Sequence, residues 1–351
     1  MSEAGMTGTA GTTGTAGTTG TTGTTVWPYG LIQVKIPLPF SLKWVNSYLL
    51  QDEKGYTLID PGLHTPEAVE QWQAALTEHQ LNFRDIHTIV LTHQHPDHYG
   101  LAGWFQQQTG APVLISPESY AYVVKMWGED RSFAAELVPL YRQHGMPEQL
   151  LEEMTPHLES FIERVSPQPK VDFIEAGGTL LMGGIEWQLL DAPGHARGQL
   201  CFYAPQRKWM ICGDQVLPHI TPNVSVVPGD EGGELDLFLN SLTELSKYEV
   251  ELAFPGHRDP FTEFGGRIEE LKEHHKRRLE RMHELVQEEA CTGYAMCERL
   301  FGPRITGNTH NLRFAMSETL AHLFHLVKSN AISSSRRDGV IVYHARGLKL
   351  E

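Results

Sequence analysis

The segment Thr92-His93-Gln94-His95-Pro96-Asp97-His98 places three imidazoles and one carboxylate within six residues, directly after the apolar run Thr88-Ile89-Val90-Leu91. Neutral imidazole nitrogens and carboxylate oxygens suit zinc and related first-row metals. A strand ending in such a cluster delivers all four groups from one tight loop. Three later segments repeat the design of an apolar run closed by a turn and a metal-ligand residue type. Leu189-Leu190-Asp191-Ala192-Pro193-Gly194-His195 and Leu252-Ala253-Phe254-Pro255-Gly256-His257 both end in Pro-Gly-His, and Trp209-Met210-Ile211-Cys212-Gly213-Asp214 ends in Gly-Asp. Singly, His195 or His257 reads as an ordinary structural histidine. Together with Asp214 they read as metal ligands.

Bringing these donors together requires strands whose C-terminal ends converge, and a core to hold them. The chain has 351 residues, 40% of them apolar, which gives room for one large and one small domain. Between the first cluster and His195, the stretch from Ser116 to Lys170 reads as helical. Its Tyr120, Val123, Val124 and Trp127, then Leu137, Leu140 and Tyr141, recur at three- and four-residue intervals. Such an insert either roofs the cleft or adds packing to an outer face. From Phe264 to about Glu289 the sequence reads as a charged helix with Ile268, Leu271, Leu279, Met282 and Leu285 on its apolar side. A second helix is expected over Leu312–Lys328, followed by the turn Asp338-Gly339 and a strand from Val340 to His344. That hairpin carries Arg336-Arg337 at its tip, and the order of helix, helix and hairpin suggests a small winged-helix module.

The constellation of His93, His95, Asp97, His98, His195, Asp214 and His257 resembles the metallo-β-lactamase superfamily over roughly Val26 to Arg267. The resemblance implies an α/β fold, a four-layer αββα sandwich, with a two-metal site between the sheets. By that resemblance His93, His95 and His195 hold a first metal, Asp97, His98 and His257 a second, and Asp214 bridges them. Two cations about 3.5–4 Å apart need such a shared anion, and a bridging hydroxide then forms near neutral pH. Asp97 and Asp214 are expected to orient it for attack. Asp60, in Leu58-Ile59-Asp60-Pro61-Gly62, matches a further acidic position and is expected to orient a ligand from behind. Two divalent ions per chain are expected, with zinc as the default and iron or manganese fitting the same donors. Zinc β-lactamases commonly use a cysteine at the second metal. Here Asp97 and Asp214 give the pattern of the hydroxyacylglutathione hydrolase branch. Tyr99, directly after the cluster, and His219 and Asn223, in the loop after Asp214, are expected to line the cleft.

The expected organisation is a disordered Thr/Gly-rich tail over 1–25, a catalytic sandwich over 26–267 with a helical insert near 116–170, a linking helix over 268–290, and a winged-helix-like module over 291–351. The lactamase-beta-like branch includes members with a comparable module, some of them single-strand-specific endoribonucleases. Charge argues against that activity: residues 267–351 hold 14 basic and 11 acidic side chains, so of the net −15 the rest of the chain carries −18. Nucleic-acid enzymes usually present a positive path to the site. The leading expectation is a metal-dependent hydrolase of a small thioester or ester using a metal-bridging hydroxide. The alternative is a metal-dependent endoribonuclease on single-stranded RNA. The C-terminal module is then expected to pack or to support a homodimer, and to be dispensable for turnover.

The repeat TGTAGTTGTAGTTGTTGTT near the start lacks the basic start and apolar core of a signal peptide. No run has the length of a membrane span. Cys201, Cys212, Cys291 and Cys297 follow no metal-like or redox spacing, so reduced thiols and a cytoplasmic location are expected.

Overall fold

The computed structural model describes residues 17–20, 22–229 and 233–347. Two sheets face each other. The first holds eight strands in chain order, from Thr18–Thr19 to Val171–Phe173. It is antiparallel as far as Gly55–Ile59 and parallel from there on, because helix-bearing crossovers replace the tight turns. The second holds five strands, with Leu252–Pro255 at one edge and Thr179–Met182 at the other. Tyr48, Ile59 and Val90 of the first sheet meet Trp187, Phe202 and Phe254 of the second in the layer between them.

Each sheet's outer face is covered by helices. Pro66–Glu78 and Ala102–Thr109 bury Trp72 and Phe105 against the first sheet. Glu234–Leu245 and the start of Phe264–Glu288 bury Phe238, Leu242, Ile268 and Leu271 against the second. The four layers are those of an αββα sandwich.

The N-terminal stretch expected to be free is not free throughout. Residues 1–16 lie outside the described residues, but Thr24–Trp27 pairs with Leu31–Pro37, and Thr24 is fully buried with its hydroxyl donated to Glu78. A Thr-rich run has high β-propensity, and an edge strand offers it backbone partners.

The boundary expected near 267 falls inside a helix. Phe264–Glu288 runs unbroken, with Ile268 and Leu271 in the sandwich core and Met282, Leu285 and Val286 in a separate C-terminal core. That second core also takes in the insert. Leu137, Leu140 and Tyr141 of Ser132–Gln143 pack with Leu312, Leu320 and Leu323 of helix Thr309–Lys328. The insert therefore does both: Val123, Trp127, Phe161 and Val165 pack in the core on the first sheet's outer face, while its middle joins the C-terminal region. A further helix, Gly293–Phe301, stands between the two helices expected from the sequence, started by Thr292, whose hydroxyl accepts the Ala295 amide. The hairpin Ile332–Arg337 and Val340–Ala345 is present, with Cys291–Thr292 added to it as a third strand.

Candidate metal centre and substrate cleft

The loops after the apolar strands meet between the two sheets. His93, His98, His195, Asp214 and His257 are buried there, and His95 and Asp97 are half-buried. Gly256 makes room at the centre: a Cβ on it would lie 2.2 Å from Asp214 Oδ1 and 2.6 Å from His98 Cε1. Only glycine fits the Pro-Gly-His turn at that point.

The outer nitrogens of four histidines are committed. The Asp60 carboxylate accepts the Thr92 amide at 2.8 Å, the Thr92 hydroxyl at 2.6 Å and His98 Nδ1 at 2.8 Å. Having given its proton to Asp60, Thr92 Oγ1 accepts from His93 Nδ1 at 2.9 Å. His195 Nδ1 donates to the Asn223 carbonyl and His257 Nδ1 to the Trp44 carbonyl, each at 2.9 Å. A neutral imidazole that donates through Nδ1 carries a lone pair on Nε2. With the rings neutral, as metal ligands must be, four lone pairs point inward, together with His95 Nδ1 and two carboxylates.

Acceptors facing acceptors need positive charge between them. His93 Nε2 and His195 Nε2 lie 3.0 and 2.9 Å from His95 Nδ1. His257 Nε2 lies 3.1 Å from Asp97 and 3.3 Å from Asp214, and His98 Nε2 lies 3.4 Å from Asp214. The other carboxylate oxygen of Asp214 sits 3.6 Å from His195 Nε2. A tetrahedral site with bonds of about 2.0–2.1 Å has ligand–ligand edges of roughly 3.3 Å. The donor groups His93/His95/His195, His93/His98/Asp214 and Asp97/His98/His257 each keep their ligand atoms within 4.8 Å. His98 Nε2, His257 Nε2 and Asp214 Oδ1 are buried without a hydrogen-bond partner. The residues fit divalent metal ions.

Protonation follows the same logic. Burial, then the neighbouring imidazoles, push His93 well below the usual histidine range, and burial with His195 pulls His95 down to about 3. Burial works against a proton on His257 as well, but Asp214 and Asp97 outweigh it and push this group up to about 10. His98 rises for the same reason, with Asp60 adding to the pull. Burial alone would raise Asp97 and Asp214, yet His98 and His257 hold both below the usual carboxylate range. The carboxylate side of the cluster demands cations, and the three-imidazole side rejects protons.

A cavity of about 270 Å³ opens from this cluster. His95, Asp97, Asp214 and His257 line it at the cluster, and Trp127 and Phe133 of the insert together with His310, Arg313 and Phe314 of the C-terminal helix line it beyond. The C-terminal module is thus a wall of the cleft, which conflicts with its expected dispensability. Of the residues expected to line the cleft, Asn223 does so. Its carbonyl holds His195, and its amide donates to Glu318 at 2.9 Å, which in turn pairs with Arg278. Tyr99 does not line the cavity: it is fully buried in the outer core and donates its hydroxyl to Gln168 at 2.6 Å. Following Pro96 in a short helix turns it away from the cleft, and adjacency to the cluster misled. His219 is exposed, outside the cavity, with φ at 66°. Arg313, His310 and Phe314 were not singled out from sequence, because nothing local connects a helix near residue 310 with a loop near residue 95.

Residues 45–257 match the Metallo-beta-lactamase superfamily. The chain belongs to that superfamily and is one of its metallo-hydrolases. Residues 279–346 match the Metallo-beta-lactamase-like, C-terminal domain. The metallo-beta-lactamase family protein TTHA1429 from Thermus thermophilus superposes with a TM-score of 0.81 at 34% identity, over 90% of this chain and 99% of that one. Among curated relatives, the probable metallo-hydrolase YqjP of Bacillus subtilis is 26% identical over 87% of this chain and 94% of its own length. The hydroxyacylglutathione hydrolase GloC of Haemophilus influenzae is 26% identical over 48% of this chain and 64% of its own. The atrochrysone carboxyl ACP thioesterase of Emericella nidulans is 22% identical over 64% of this chain and 55% of its own. Among the described residues no helix is long and apolar enough to cross a membrane.

Proposed function

We propose that this metallo-hydrolase cleaves a thioester or ester of a small acyl group. His93, His95 and His195 would hold one divalent cation, Asp97, His98 and His257 a second, and Asp214 would stand between them, with zinc favoured by the imidazole-rich donor set. When bound, such ions supply Lewis acidity toward a carbonyl oxygen and acidify water. The chain's own residues supply orientation. The Asp97 and Asp214 carboxylates would accept hydrogen bonds from the attacking water and aim it at the scissile carbon. Asp60, Asn223 and the Trp44 carbonyl fix the imidazoles that surround it.

The observation that carries this reading is the cavity itself. It ends on the cluster, measures about 270 Å³, and is walled by Phe40, Trp127, Phe133, Phe161 and Phe314. That volume and lining suit a small acyl group better than a polynucleotide strand, which needs a long basic groove. The names of the thioesterase and hydroxyacylglutathione hydrolase relatives support thioesters among the acyl substrates.

The test is a turnover screen of metal-analysed protein against acyl-glutathiones, acyl-CoAs, simple esters, lactones, β-lactams, phosphodiesters and single-stranded RNA. Hydrolysis of a thioester or ester, with about two metal ions per chain, is expected. Cleavage of RNA alone, or less than half an ion per chain after supplementation, would refute it.

A further inference from the structure

Two arginines line the cavity, and they differ in how their charge is met. Arg197 Nη2 lies 3.4 Å from the buried Glu234 carboxylate, with Glu118 4.0 Å from its other amine. Arg313 has no carboxylate and no side-chain hydrogen bond among the described residues. Its guanidinium carbon sits 4.0 Å from the Phe314 ring centroid, and its Nε is buried without a partner. Burial pulls its pKa down, as expected of a cation with nothing to compensate it. Two neighbours in the cavity wall share the condition: Trp127 Nε1 and His310 Nδ1 are also buried without a partner. Arginine Nε–H and tryptophan Nε1–H can only donate. Buried donors are almost always satisfied, so two obligate donors left without a partner on residues that line one cavity mark that wall as short of an acceptor.

We propose that Arg313, with Trp127 and His310, forms a carboxylate-binding subsite, and that the acyl substrate carries a carboxylate at the end remote from its scissile carbonyl. Placing that carboxylate on an acyl group rests on the hydrolase reading above. The planar guanidinium fork matches a carboxylate, and the Phe314 face holds its plane. The aromatic wall takes the intervening carbon chain. The subsite stands beside the metal cluster, close enough that Asp97 acts electrostatically on His310. Helix Thr309–Lys328, which brings Arg313, is itself fixed to the insert by the Tyr141 hydroxyl, bonded at 2.8 Å to the Arg313 carbonyl and at 2.6 Å to Ser317. In this arrangement the appended C-terminal region selects the substrate and the sandwich supplies the chemistry.

The experiment compares glutaryl and pentanoyl thioesters of N-acetylcysteamine, which match in length and differ in the terminal carboxylate. The wild type should prefer the glutaryl ester by about tenfold or more in kcat/KM, as a charge-assisted pair would give. Arg313→Met should remove that preference by slowing the glutaryl ester alone, and Arg313→Lys should keep part of it. Indifference of the wild type to the carboxylate, or equal loss on both esters in Arg313→Met, would overturn the proposal. So would a preference for pentanoyl-CoA over pentanoyl-N-acetylcysteamine that depends on Arg313, because the anion would then be a phosphate of the thiol carrier. Calorimetry with 4-phenylbutanoate and its amide reads the subsite without turnover. Acid binding should weaken about tenfold in Arg313→Met while amide binding stays unchanged. If that holds but no ester or thioester is cleaved, the hydrolase reading fails and the carboxylate subsite stands. If esters are cleaved but the acid binds both proteins alike, the reverse is true.

Discussion

On the sandwich side of the cleft, the groups behind the inward atoms are tied down. Asp60 carries three hydrogen bonds, Thr92 passes one on to His93, and backbone carbonyls hold His195 and His257. Across the cleft, on the insert and C-terminal helices, Trp127, His310 and Arg313 keep buried polar atoms without partners. The first arrangement gives rigid donors in a fixed protonation state, as metal-ion chemistry requires. The second leaves capacity open for a ligand. One chain therefore separates a site whose geometry is completed from behind from a wall whose buried polar atoms have no protein partner among the described residues.

The strongest way to break this comparison is at the cluster. Asp214→Ala removes the carboxylate shared by His98, His195 and His257. It should reduce bound metal by at least half and hydrolysis to background, checked by elemental analysis and turnover. Arg313→Met should leave metal content unchanged. Equal metal loss in both variants would show that the two sides are not separable.

Next in size is removal of the wall. Deleting residues 291–351 strips Met296, Leu312, Leu320, Leu323 and Tyr343 from a core shared with Leu137, Tyr141 and Met154 of the insert. The expected product aggregates or loses its cooperative thermal transition, because exposing a core of that size exceeds the stability of an ordinary domain, about 5–15 kcal/mol. A folded, active truncation would restore the view of the module as an accessory. Asp60→Asn follows: its amide nitrogen offers a donor where three donors converge, and metal affinity should fall about 10–100-fold in a competition titration.

How much of this was legible in the sequence follows from where each signal lies. The donor cluster was legible because the donors follow apolar strands, four of them in one short segment and three behind Pro-Gly or Gly-Asp punctuation, which are local patterns. Helix Phe264–Glu288 was legible by its periodicity, but its role in joining two cores was not, because periodicity marks a face and not its partner. Tyr99 was misplaced because proximity in sequence does not give the side a short helix presents. Arg313 could not be found at all. Its significance lies in the absence of a partner, which only tertiary structure reveals.

The C-terminal helices add a pH dependence of their own. His322 Nδ1 donates to the Glu318 carbonyl at 2.7 Å, so its Nε2 accepts from His275 Nδ1 at 3.0 Å. Both rings are buried and neutral, with burial the main cause of pKa values of about 3 for His322 and about 2 for His275. The unfolded chain protonates them near pH 6.5. Folded values below the unfolded one mean full stability above about pH 6.5 and a progressive loss as pH falls toward 3. At pH 5 the cost is about 2 kcal/mol for each ring. Denaturant midpoints at pH 7.5 and 5.0 should show the loss in the wild type and a smaller one in His322→Gln. A pH-independent midpoint would mean that the pair is already open to solvent.

The smallest effect concerns Tyr99, which adjoins the cluster in sequence but faces the outer core. Its hydroxyl meets Gln168, whose amide donates in turn to the Val165 carbonyl at 2.9 Å, and this pair ties the cluster's helix to the end of the insert. Tyr99→Phe keeps the ring and its packing and removes one buried hydrogen bond. It should cost about 1 kcal/mol of stability, read as a shift in denaturant midpoint. Because the hydroxyl touches neither the cavity nor any inward-facing ligand atom, KM and metal content should stay at wild-type values. A raised KM with unchanged stability would move Tyr99 from the packing of the sandwich to its cleft, and would blur the division between the two sides.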